Sequence, residues 1–159
     1  MPPLSRVRRS LVQTQSPLRA ILLGWPTVTI PALVLAWLTT LLFASGAHPA
    51  FGPVNPVMFF LITVFAPVVE TLIMAFFLEL MLRLRIPPAV AVGASAIGWG
   101  LAHSYQAIAW GLVIWWPFLI FSTLYVVWRE RSYLWALLIP MAVHALNNLV
   151  PALTLLRNG

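Results

Sequence analysis

The chain has 159 residues, 62% of them hydrophobic and 8% charged, with a mean hydropathy of +0.96; soluble domains run at about 45–50% apolar and about 25% charged, so a soluble globular fold is excluded. It has no cysteine, which excludes disulfides, thiolate chemistry and cysteine-ligated zinc. The net charge of +6 comes from nine arginines and no lysine, and these cluster at the ends of apolar runs without a basic, aromatic-interleaved stripe, which indicates membrane topology and anionic lipid rather than nucleic acid.

Arg6, Arg8, Arg9 and Arg19 make residues 1–19 a basic segment expected in the cytoplasm. A span needs about 17–25 predominantly apolar residues, and five runs qualify: 20–44, 57–82, 88–106, 109–128 and 133–156. Stretches rich in proline and glycine, "SGAHPAFGPVNP" (45–56) and "IPP" (86–88), separate the first three. The predicted architecture is all-α: a multi-spanning transmembrane helical bundle of about five spans, in one domain over residues 20–156, in the cell (plasma or inner) membrane. With the N-terminus inside, the arginines of 6–19, 83–85 and 129–131 face the cytoplasm and the uncharged loops at 45–56 and 104–109 lie outside, so N-in/C-out is the expected topology. "RVRRSLV" and "FASGA" are not expected to act as processing signals, because the run between them is too long and carries Pro26 and Pro31.

An ionisable side chain inside a span costs about 2.5–3.5 kcal/mol on insertion scales, so it faces a partner or a wet cavity. Glu79 has Arg83 four residues on, a favourable helical pair, and Glu130 lies in a loop between Arg129 and Arg131. Glu70, in "APVVETLIMAF", has no cation near it in sequence. His48 reads as a solvated loop residue. His103 ("GWGLAHSY") lies towards the outer end of the third span, and His144 is in the middle of the fifth. Asn148 follows His144 by four residues and shares its helix face; Asn147, on a neighbouring face, is a candidate helix–helix hydrogen bond. Glu70 and His144 are each roughly 18–20 Å from their inner loops, with His103 and Asn148 within about two turns of that depth. Helix–helix glue explains any one of these groups; three helices presenting them at compatible depth points to a shared site. Pro67 and Pro140 should free the carbonyls of Thr63 and Ala136 and kink their helices. The small residues of "VGASAIGWG" (92–100) should let a neighbouring helix approach closely.

"APVVETLIMAF", "SAIGWGLAHS" and "AVHALNNLV", in that order over roughly residues 56–156, resemble the three motifs of the CPBP family of intramembrane proteases, relatives of the Rce-type CAAX-processing endopeptidases and bacterial Abi proteins. The family pattern is EExxxR, FxxxH and Hxxx(N/D) on separate helices. Glu70 matches the first glutamate, His103 the histidine of the second motif (with Trp99 where phenylalanine is usual), and His144 and Asn148 the third motif. Thr71 stands in place of the second glutamate and Ala75 in place of the arginine. Those two pattern positions are four apart and could pair on one face, so losing both avoids the stranded buried charge that losing one would leave.

The resemblance implies an intramembrane endopeptidase acting on a protein or peptide substrate in or near the lipid bilayer. Glu70, assisted by His103, would activate a water and then protonate the leaving nitrogen; His144 and Asn148 would supply the oxyanion donors. No cofactor is expected. Zinc on Glu70, His103 and His144 is the alternative chemistry, although the H-E-x-x-H spacing of common zinc proteases is missing. A serine mechanism lacks its parts, since the chain has no aspartate to complete a triad with Ser104 or Ser122. Two other classes stay open. A non-catalytic membrane partner or bacteriocin-immunity protein could keep the fold, and Thr71 and Ala75 favour it. A proton or ion carrier needs a polar relay to both surfaces, for which the inner halves of these helices offer little beyond Glu79. Convergence of Glu70, His103, His144 and Asn148 on one cavity is the geometry that favours the protease.

Overall fold

The computed structural model describes residues 16–44, 47, 49 and 54–158; Arg6, Arg8, Arg9 and His48 lie outside them. Five long helices carry the described chain: α1 (Pro17–Leu42), α2 (Pro56–Arg83, with a π-helical turn at Leu61–Phe65), α3 (Pro88–Ser104), α4 (Ile108–Arg129) and α5 (Tyr133–Asn158). Their starts follow local chemistry. Proline opens α1, α2 and α3, where its missing N–H costs nothing. The Ser16 hydroxyl accepts from Arg19 N at 3.4 Å and the Asn55 carboxamide from Met58 N at 2.8 Å, each capping a helix N-terminus. By length and composition, α1, α2, α4 and α5 are able to cross a membrane. Helix α3 has 17 residues, about 26 Å at 1.5 Å per residue. All five expected helices are therefore present, with ends displaced by a few residues, and the turn between the third and fourth is Tyr105–Ala107.

Helix α4 is the centre of the bundle and packs against the other four. Its Phe118, Phe121, Leu124 and Tyr125 meet Val28 of α1, Met74 and Leu78 of α2, and Ile139 and Val143 of α5. The outward faces are apolar too, exposing Leu22, Trp37, Phe76 and Leu101. That distribution suits lipid, where each helix satisfies its own backbone groups. Helices α3 and α4 approach closely at two glycines. A Cβ on Gly111 would overlap Ser104 Oγ and the Gly100 carbonyl, and one on Gly100 would lie 3.2 Å from Trp115 Cβ. The predicted small-residue seam is narrower than the run 92–100: Gly93 and Gly98 face open space, while Ser95 accepts a buried hydrogen bond from Ser122 at 2.9 Å.

At the end of the bundle that carries Arg83 and Arg85, the Glu79 carboxylate is gripped by Arg129 of α4, with Nη2 at 3.0 Å and Nε at 3.1 Å. Tyr125 donates to it at 3.4 Å, and Arg83 approaches at 3.5 Å from a largely exposed position. The Glu79–Arg83 pair expected from spacing exists, but it is the lesser one. Arg129 is the last residue of α4, one beyond the expected end of that span, and its two-pronged guanidinium meets a carboxylate on the adjacent helix. This pair holds the C-terminal ends of α2 and α4 level, which puts the 83–85 and 129–131 clusters at one end of the bundle.

Candidate active site

A cavity of about 440 Å³ lies among the helices, and Glu70, His103, His144, Asn147 and Asn148 all line it. The four residues singled out from the sequence therefore converge, each from the helix expected: Glu70 from α2, His103 from α3, His144 and Asn148 from α5. Helix α1 closes the cavity with Thr29, Ala32, Leu33 and Ala36.

The α2 wall owes its shape to Pro67. Upstream of it the helix widens into the π turn Leu61–Phe65, in which Ala66 N donates to Leu61 O, five residues back. In that register the next donor, to Ile62 O, would be the amide of Pro67, and proline has none. The freed Ile62 carbonyl accepts instead from Asn148 Nδ2 at 3.1 Å. The carbonyl that a side chain uses is thus one residue before the Thr63 carbonyl expected for an ordinary α-helix. Thr63 turns its hydroxyl onto Phe59 O at 2.7 Å. Asn148 Oδ1 accepts from Asn147 Nδ2 at 3.4 Å, and Asn147 Oδ1 accepts from Thr29 Oγ1 at 3.2 Å. Asn147 is the helix–helix hydrogen bond that its face predicted.

Glu70 has a quarter of its side chain exposed into this space, and its Oε2 lies 3.7 Å from His144 Nε2. That is beyond direct hydrogen-bond length. His103 makes no ion-pair contact with Glu70, so the histidine nearest the carboxylate is His144 rather than His103. The two imidazoles are held by different means. His103 Nδ1 donates to Trp99 O at 2.9 Å, one turn back in α3, and in the neutral ring this leaves Nε2 as an acceptor. Trp110 meets the His103 ring edge-on with centroids 4.8 Å apart. His144 is stacked on Phe121 at 4.6 Å and met edge-on by Phe118 at 5.5 Å. Its Nδ1 is buried without a partner. The neutral ring is better with its proton on Nε2, where a carboxylate is near, than on Nδ1, where no acceptor exists.

Thr71 and Ala75 share the buried face of α2 with Met74 and Leu78. A glutamate or an arginine alone at either position would be an uncompensated charge among apolar side chains, so the two replacements make sense only together. The Thr71 hydroxyl has no partner. Among the described residues, no three His or Glu side chains come together as a metal-ligand group; a zinc set of Glu70, His103 and His144 would require His103 to move towards the carboxylate. Sequence reasoning missed Thr29, the Ile62 carbonyl and the aromatic clamps Trp110, Phe118 and Phe121. Pro67 held a signal for Ile62, since it deletes an amide. Thr29 held none, because threonines in this chain commonly bond their own helix, as Thr27 does to Leu23 O at 2.7 Å.

Fold and site together define a multi-pass helical membrane protein with carboxylate, imidazole and carboxamide groups gathered around a partly open cavity between the helices. A family model, type II CAAX prenyl endopeptidase Rce1-like, matches residues 51–150, well over half of the chain. The chain belongs to that family, which is a family of proteases. No curated protein and no solved structure matches it.

Proposed function

We propose that the chain is an intramembrane endopeptidase in which Glu70 activates a water for attack on a peptide carbonyl of a membrane-associated protein. The observation that carries this is the placing of a carboxylate, against which no arginine among the described residues lies, in one cavity with two histidines and a carboxamide. A water hydrogen-bonded to both fits the 3.7 Å gap between Glu70 and His144, since each such bond is about 2.8 Å and the water forms an apex. Glu70 takes one proton from this water as its oxygen attacks the carbonyl carbon, and the acceptor Nε2 of His103 orients the other hydrogen. The oxyanion that forms meets the Asn148 Nδ2 hydrogen that is not given to Ile62 O and the His144 Nε2–H, which leaves the water oxygen as that oxygen bonds to carbon. The tetrahedral intermediate then collapses, the C–N bond breaks, and Glu70 returns its proton to the departing nitrogen. This route uses no metal, and a chelator is expected to leave the rate unchanged. The plasma membrane, with the arginine-rich end of the bundle in the cytoplasm, is the setting proposed.

The test works without an identified substrate. Membranes from cells expressing the wild-type chain and the Glu70→Gln variant at equal levels are compared by labelling and sequencing protein N-termini. New N-termini that require Glu70 support the protease. Identical N-terminal sets would favour the non-catalytic membrane partner.

A further inference from the structure

We infer that α1, all of which precedes the family-matched segment, holds in place the proposed oxyanion donor in the sense that the Ile62 carbonyl dictates: Thr29 and Asn147 are positioning residues for the Asn148 carboxamide. The consequence for catalysis rests on the protease reading; the geometry does not.

Three hydrogen bonds run in one direction across three helices, from Thr29 Oγ1 to Asn147 Oδ1, from Asn147 Nδ2 to Asn148 Oδ1, and from Asn148 Nδ2 to Ile62 O. The last acceptor fixes the sense of the whole chain. A carbonyl accepts only, so Asn148 has to present Nδ2 to Ile62 and Oδ1 to Asn147. Asn147 must then offer Nδ2 to Asn148, and its Oδ1 is left facing α1. A hydroxyl is a small side-chain group that can donate there without adding charge. Thr29 departs from its neighbours in doing so: Thr27, Thr39 and Thr40 turn their hydroxyls onto carbonyls of α1 itself, whereas Thr29, buried at the α1–α5 contact, reaches across to the other helix. An asparagine rotated by half a turn would aim oxygen instead of N–H at an oxyanion, so locking the carboxamide decides whether Asn148 stabilises or repels the intermediate. Ala32, Leu33 and Ala36 extend the same face of α1 along the cavity.

The test replaces Thr29 by valine, which keeps the shape and removes the hydroxyl, and by serine, which keeps the hydroxyl. In protein carrying ¹⁵N-labelled asparagine, the side-chain amides of Asn147 and Asn148 should both shift in Thr29→Val and return near their wild-type positions in Thr29→Ser. That of Asn55, which caps the start of α2, should not move. An Asn148 resonance unchanged in Thr29→Val overturns the inference. On the peptide most strongly cleaved in a Glu70-dependent way in the membrane comparison, Thr29→Val should lower kcat about tenfold, as expected for a displaced catalytic group, with KM unchanged and Thr29→Ser close to wild type. A rise in KM alone would make α1 merely a wall of the cavity and would also overturn the inference. If Thr29→Val does not fold, Thr29→Ala removes the same hydroxyl with less crowding and is read in the same way. If the wild-type chain cleaves nothing, the protease reading fails by itself, and the amide resonances still decide whether Thr29 orients Asn148.

Discussion

Helix α2 carries two glutamates, nine residues apart, and the bundle treats them in opposite ways. Glu79 is held by a two-pronged guanidinium, a phenol hydroxyl and a second arginine. Among the described residues Glu70 has no arginine within ion-pair distance, and it shares its cavity with imidazoles and carboxamides. Both are carboxylates on an apolar helix, so residue type does not separate them. Their surroundings do. A carboxylate whose lone pairs are taken by cations holds helices together and has little left to give a reactant. One that faces a cavity with neutral donors and acceptors keeps its capacity to move a proton. The first is built as a clamp, the second as a candidate general base.

That contrast is best broken by exchanging the chemistry of each residue, starting with the largest expected effect. Glu70→Gln should abolish Glu70-dependent cleavage, a loss of at least about 10⁴-fold since base and acid are removed together, while the melting temperature in detergent stays at or above that of the wild type. A clear loss of stability would mean that Glu70 is a second clamp. Asn148→Ala should lower kcat by about 10²–10³-fold, as for other single oxyanion donors, and a KM effect alone would instead place Asn148 in substrate binding. Arg129→Ala should leave cleavage by the folded fraction intact but destabilise the protein by about 2 kcal/mol, the scale of charged hydrogen bonds, seen as a lower melting temperature. Arg83→Ala, at the exposed edge of the same cluster, should cost no more than about 0.5 kcal/mol, and this difference should shrink further at high salt. Equal effects of Arg83→Ala and Arg129→Ala would show that helical spacing, rather than the contact between α2 and α4, governs Glu79.

Much of this is legible in the amino-acid sequence. The five helices follow from runs of apolar residues bounded by proline and arginine. The convergence of Glu70, His103, His144 and Asn148 is foreshadowed by depth, because rise per residue converts position in a helix into height in the bundle. Less is legible about partners. Spacing favours Arg83 for Glu79, yet Arg129 is the stronger ligand, since a sequence lists neighbours along a helix and says little about the helix beside it. The roles of the two histidines are similarly open in the sequence: His144 stands next to Glu70, and His103 is turned to the Trp99 carbonyl and clamped by Trp110.

The sequence by itself determined that the chain crosses the membrane, which residues are too polar for lipid, and how deep each lies, because desolvation and helical rise are local properties of a covalent chain. Only the tertiary structure decided which polar groups meet. The azimuth of a helix is set by packing on its neighbours, here the Gly100–Gly111 contact and the Phe118 and Phe121 side chains of α4. It is this rotation that brings Thr29 of α1 to Asn147 and the freed Ile62 carbonyl to Asn148.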